Sequence, residues 1–118
     1  MKRILLVVDD EEEICRLFQR ALREDFDEVL PATTAQEADE PLGSGRVTHL
    51  VCDYRLGPDD PSGEVFVLDW RRKCPSIRYA ALFTGTASTW KKGYEGVDDV
   101  FFKPEGFQGL LRALRTHE

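Results

Sequence analysis

Long hydrophobic runs are missing from this sequence: no apolar stretch approaches the ~20 residues that a membrane-spanning helix needs. Cysteine is scarce and unpaired. Cys15, Cys52 and Cys74 form no Cys-x-x-Cys spacing and no even disulfide set, which suits small hydrophobes in a reducing cytosol. No run of Lys or Arg occurs either; sixteen basic residues are scattered among twenty-two acidic ones, the net charge is −6, and direct nucleic-acid binding is not expected. Met1-Lys2-Arg3 and the five apolar residues after it end at Asp9-Asp10, too short an apolar segment for a secretory leader. Internal repeats, low-complexity segments and linkers are absent. What remains is 118 residues, 42% hydrophobic and 32% charged, enough for a single core and too apolar for disorder.

The apolar residues are organised in alternation. Ile4 to Val8 is an uninterrupted β-rich run, as a parallel strand covered on both faces requires, and it stops at two carboxylates. Ile14, Leu17, Phe18, Ala21 and Leu22 follow at helical spacing, with Glu11, Glu12 and Glu13 where the helix dipole favours negative charge. Glu28 to Ala32 reads as a second strand, and Thr33 or Thr34 as the cap of a helix carrying Ala35, Ala38 and Leu42 that Pro41 should shorten or kink. Val47 to Cys52 is a third strand ending on Asp53. A loop rich in Gly and Pro leads to Ser62, the expected cap of a helix through Lys73. Ile77 to Phe83 and Val100 to Phe102 are strands four and five, with room for only about two turns of helix over Ala87 to Tyr94. Phe107, Leu110, Leu111 and Leu114 form the stripe of a last helix. Such alternation predicts an α/β fold: a doubly wound five-stranded parallel sheet of order 2-1-3-4-5, with a ligand crevice at the carboxyl ends of strands one and three.

Asp9 and Asp10 end the first of those strands and Asp53 the other. Any one of them alone is an ordinary loop residue. Three in one pocket repel, and either raise their own pKa values or bind a hard cation, of which Mg²⁺ is the natural candidate. Thr84 after strand four and Lys103 after strand five add a hydroxyl and an ammonium, the groups that neutralise the equatorial oxygens of a phosphoryl group.

Four segments carry a resemblance: Leu6-Val7-Val8-Asp9-Asp10-Glu11, Val51-Cys52-Asp53-Tyr54-Arg55-Leu56, Leu82-Phe83-Thr84-Gly85 and Asp98-Asp99-Val100-Phe101-Phe102-Lys103-Pro104. In this order and spacing the chain resembles the response regulator receiver family of two-component signalling over its whole length, residues 1–118. The resemblance implies a flavodoxin-like receiver fold in which Asp53 is the phosphoacceptor. Asp10, Asp53 and the carbonyl of Arg55 are then direct Mg²⁺ ligands, and Asp9 acts through water. Thr84 and Lys103 contact phosphoryl oxygens, Gly85 keeps the donor's approach open, and the Lys103-Pro104 bond is cis. A sensor histidine kinase or phosphotransfer protein supplies the phosphoryl group, a protein partner receives the output, and the chain acts in the cytoplasm as a switch rather than an enzyme on other substrates.

Three departures from that pattern stand out. Val100 occupies a place where the family usually has an aromatic ring, so coupling is expected to run through Thr84 and the loop from Gly85 to Tyr94. Lys103 follows Thr84 by nineteen residues, fewer than the resemblance implies, which predicts a shortened fourth helix. The loop after Asp53 is long and carries Asp59 and Asp60, further acidic ligands or, the stronger reading beside Pro58 and Pro61, turn residues. Val100 and the short helix also leave open a phosphorylation-independent interaction module. An aspartyl-nucleophile phosphatase would want an acid where Arg55 stands.

Overall fold

The computed structural model describes residues 2–85 and 94–117. Five strands, β1 (Ile4–Val8), β2 (Glu28–Ala32), β3 (His49–Cys52), β4 (Tyr79–Thr84) and β5 (Asp99–Phe102), pair in parallel in the order β2-β1-β3-β4-β5. Four helices are described: α1 (Glu12–Leu22), α2 (Ala35–Gly43), α3 (Gly63–Lys73) and α4 (Phe107–Thr116). The label α4 therefore belongs to the last helix; the shortened helix expected over Ala87 to Tyr94 lies, except for Tyr94, outside the described residues. No helix among the described residues is long and apolar enough to cross a membrane.

Strand alternation divides the core between the two faces of the sheet. Leu5 and Val7 point to one side, where Cys15, Phe18 and Leu22 of α1 meet Leu110, Leu111 and Leu114 of α4. Ile4, Leu6 and Val8 point to the other, against Ala38 and Leu42 of α2 and Val67 and Trp70 of α3. Because β1 is covered twice, all five of its residues are buried, which is why its sequence is uninterrupted rather than alternating. On the α1/α4 side Phe18 stands edge-on to Phe83 and Phe107, with ring centroids 5.7 and 5.1 Å away.

Several sequence expectations shift in detail. In α1 the buried line is Cys15, Phe18 and Leu22, three and then four residues apart; Leu17, one position off that line, is 42% exposed. Thr34 rather than Thr33 caps α2, accepting the Glu37 N–H, while the Glu37 carboxylate reaches back to the Thr33 N–H. Pro41 does not end α2, which runs two residues further. Ser62 holds the N-cap position of α3, yet its hydroxyl donates to Glu64 rather than capping the backbone. β3 starts at His49 instead of Val47; Thr48 donates its N–H to the Ile4 carbonyl, and its hydroxyl oxygen accepts the Ile4 N–H.

Arg3 ties the amino-terminal end of the sheet together. Its guanidinium donates to the carbonyls of Asp25, just beyond α1, and of Leu114 and His117 at the end of α4, and lies 4.4 Å over the Phe26 ring. One cation thus serves the negative ends of two helices. Buried His49 adds a bond from Nε2 to the same His117 carbonyl and another between Nδ1 and the Thr48 hydroxyl. Burial pushes its pKa down, so the neutral ring donates from Nε2 and accepts at Nδ1. Arg3→Met keeps the aliphatic stem and removes the donors. It is expected to lower the urea-unfolding free energy by about 2 kcal/mol at unchanged m value, since bonds from a charged donor to partly buried carbonyls are lost. A loss of about 0.5 kcal/mol or less would mean that water takes over these carbonyls.

Candidate functional site

The site follows from register. Val8 of β1 is paired with Cys52 of β3, so the next residues, Asp9 and Asp53, leave adjacent strands side by side; the Asp53 N–H closes the ladder on the Val8 carbonyl at 2.9 Å. Asp10, one residue on and exposed, turns into the same crevice, and one oxygen from each of the three carboxylates lies within 4.8 Å of the others. On the neighbouring side Thr84 is paired with Phe102, and the Lys103 N–H donates to the Thr84 carbonyl at 2.8 Å. That pairing sends the Lys103 side chain back over the carboxylates. Its Nζ stands 2.9 Å from Asp9, 3.5 Å from Asp53 and 3.6 Å from Glu11, with the Phe83 ring 5.6 Å beneath. The Lys103-Pro104 bond is cis, as expected.

Burial sets the electrostatics. Asp9 is 2% exposed and Asp53 9%. Desolvation, then repulsion from Asp9, pushes the Asp53 pKa up to about 6, against the pull of Lys103. Asp9 is raised by the same desolvation, moderated by Lys103 and by the Glu11 N–H that it accepts at 3.0 Å. For Lys103 burial favours the neutral amine, but Asp9, Asp53 and Glu11 together outweigh it and the pKa rises. The adjoining Cys52 thiol is pushed well up by complete burial and is inert as a nucleophile. Three oxygen donors of uniform hardness around one ammonium leave an excess of negative charge, the donor set that suits a divalent cation.

The structure thus gathers Asp9, Asp10, Asp53 and Lys103 and places Thr84, 2% exposed, at the adjoining strand end. The Arg55 side chain is exposed, with its guanidinium 6.0 Å from the Tyr54 ring. Asp59 and Asp60 are exposed, Asp60 closing a turn on the Gly57 carbonyl, and neither joins the carboxylate cluster. Among the described residues, nothing lies within 4 Å of where a Cβ at Gly85 would be. Glu11 is the addition: the sequence marks it only as a helix-start acid, yet it joins the Lys103 network through a contact across more than ninety residues.

No family model matches the sequence, and no curated protein is significantly similar to it. Solved structures are similar over nearly the whole chain. A response regulator protein from Burkholderia pseudomallei, with a phosphorylated aspartic acid, a calcium ion and citrate, is 25% identical at a TM-score of 0.77, covering 97% of this chain and 67% of that one. The signal receiver domain of an HD domain-containing protein from Pseudomonas fluorescens Pf-5 is 27% identical at 0.78, covering 97% and 85%. This chain has the fold of a receiver domain. A third receiver-fold structure, a response regulator protein from Thermotoga maritima in complex with Mg²⁺-BeF, is 23% identical at 0.77, covering 96% of each chain. The receiver fold accounts for the order 2-1-3-4-5 and for the crevice at the ends of β1 and β3.

The raised pKa of Asp53 has a sign. Between the ordinary carboxylate value of about 4 and the folded value of about 6 the native state holds the extra proton, so the protein loses stability as pH rises through that window. Asp53→Asn removes the ionisation. In metal-free buffer the variant is expected to melt higher than the parent above pH ~6 and to lose that advantage as the pH falls towards ~4. Thermal melts across the window check this, and an advantage that does not change with pH would place its origin elsewhere.

Proposed function

We propose that this chain is a Mg²⁺-dependent phosphoryl switch in which Asp53 accepts the phosphoryl group and the loaded state changes partner binding. The observation that carries the reading is the convergence of three carboxylates, Lys103 and Thr84 at the carboxyl ends of four parallel strands. The phosphorylated aspartate and the Mg²⁺-BeF complex of the similar structures support it.

Each residue has a chemical part in this reading. With a pKa near 6, Asp53 is ionised at neutral pH and offers a carboxylate nucleophile. Its oxygen bonds to the donor phosphorus while the bond from phosphorus to the donor's nitrogen or oxygen breaks, leaving an acyl phosphate and a released donor. A Mg²⁺ held by Asp10, Asp53 and the Arg55 carbonyl, with Asp9 acting through water, would neutralise charge on the phosphoryl oxygens. Lys103, poised between Asp9 and Asp53, pairs with a second phosphoryl oxygen, and the Thr84 hydroxyl donates to a third. Gly85, without a side chain, keeps the donor's approach open. The donor class is a sensor histidine kinase or phosphotransfer protein, the output a protein partner, and the setting the cytoplasm; the whole chain acts as one domain, and its chemistry is confined to its own phosphorylation and hydrolysis. Val100 packs half-buried against the α2/α3 side of the core while Phe101 faces the α1/α4 side, so an aromatic flip at position 100 plays no part in output.

Incubation with Mg²⁺ and a small acyl phosphate is expected to add one phosphoryl group to the parent by intact mass and none to Asp53→Asn. Equal labelling of the two would remove Asp53 from the mechanism, and an unlabelled parent would favour the phosphorylation-independent module. Mg²⁺ should also raise the melting temperature of the parent by binding the native state, and Asp10→Ala should abolish most of that rise. A parent whose melting ignores Mg²⁺ would show that the carboxylates are not a metal site.

A further inference from the structure

Gly63 is the first residue of α3 and is buried, and its N–H donates to the Tyr54 carbonyl at 2.6 Å, closing the loop that leaves Asp53. A Cβ at this position would fall well inside contact with the Asp53 carbonyl oxygen, 3.0 Å from the Tyr54 Cα and 3.1 Å from the Asp53 carbonyl carbon. All three are backbone atoms, so no rotamer change relieves the overlap. Either α3 retreats or the Asp53–Tyr54 peptide moves.

The helix is the better anchored of the two. Val67 and Trp70 are buried in the core beneath it, and Arg71 bonds the Gly96 carbonyl and Asp98, each at 2.8 Å. The loop from Tyr54 to Ser62 is mostly exposed. Strain at position 63 is therefore delivered to the Asp53 peptide. Displacing that peptide turns the Asp53 carboxylate relative to Asp9, Asp10 and Lys103 and re-aims the Arg55 carbonyl two residues on.

We infer that Gly63 is a positioning residue for Asp53: the bare start of α3 clamps the Asp53–Tyr54 peptide and so sets the geometry of the carboxylate pocket. This rests on the role proposed for Asp53. Misplacement of a reacting group by about 1 Å costs up to about a hundredfold, so a clamp of this kind acts on the site out of proportion to its size.

Two variants test it: Gly63→Ala, and an extra glycine inserted between Pro61 and Ser62, which adds no Cβ and slackens the clamp. In metal-free protein both should shift the Asp53 amide and carboxyl resonances, while resonances of β2 and α2 stay in place. Mg²⁺ and beryllofluoride should then bind at least about tenfold more weakly than to the parent. A merely structural role would lower the melting temperature and leave those affinities unchanged, and that result would overturn the inference. Should Gly63→Ala not fold, the insertion variant decides by the same two readouts. A parent that binds neither probe would sink the proposed function, whereas shifted Asp53 resonances in the metal-free variants would still establish the clamp.

Discussion

The register between β1 and β3 sets Asp9 beside Asp53 at the mouth of a crevice that excludes most water, and the surroundings of those two residues answer their repulsion. Lys103 spans the pair, the Glu11 N–H serves one Asp9 oxygen, and Asp53 retains affinity for a proton that an exposed carboxylate would have lost. None of this fully offsets the charge. A pocket left in that condition suits a divalent cation, and the residues that destabilise the metal-free fold are the ones on which the proposed phosphoryl chemistry rests.

Tension of this kind needs a rigid frame. The two-sided burial of β1 and β3 fixes those strands as far as Val8 and Cys52, the residues before Asp9 and Asp53, and Lys103 is held in place by the ladder between β4 and β5. At the far end of the sheet Arg3 and His49 fasten the close of α4 to β1 and β3, and the aromatic cluster of Phe18, Phe83 and Phe107 locks α1 and α4 onto the same face. The edges of the sheet are covered in places. Pro31 has no N–H to offer on β2, Gln19 covers the Val29 carbonyl, and the Gly106 N–H covers the Phe102 carbonyl on β5.

Much of this was legible in the sequence because strand burial and helix periodicity are local properties. Ile4–Val8 and Glu28–Ala32 could be read to the residue, and carboxylates following strands one and three pointed to the crevice. Errors arose where a side chain answers to a distant backbone. Thr48 looked like strand, but its hydroxyl is engaged with Ile4; Leu17 looked like core, but α1 rotates so that Cys15 is covered instead. Arg3 gave no signal, since its partners are carbonyls, two of the three more than a hundred residues away, and carbonyls look alike in any sequence. Glu11 and Gly63 went unread as parts of the site for a related reason: one resembles any acid at a helix start and the other any glycine after a proline-rich loop, until β5 and the Asp53 peptide are folded against them.

Two helices carry acids in the first turn and bases in the last, Glu12 and Glu13 against Arg20 in α1 and Glu64 against Arg71, Arg72 and Lys73 in α3, while α2 has only the acid, Glu37, and α4 only the base, Arg115. In a bundle of alternating direction such preferences would cancel. Here every described helix returns antiparallel to strands that all run the same way, so these side-chain charges add, gathering acids into a pole at the end that bears Asp53, against the smaller positive charge of the helix N-termini there. A positively charged surface coming within about a Debye length, roughly 8 Å at physiological salt, exerts a torque that turns this pole towards it before any contact is made. Orientation during encounter is thus inherited from the topology itself, and it fades as ionic strength rises.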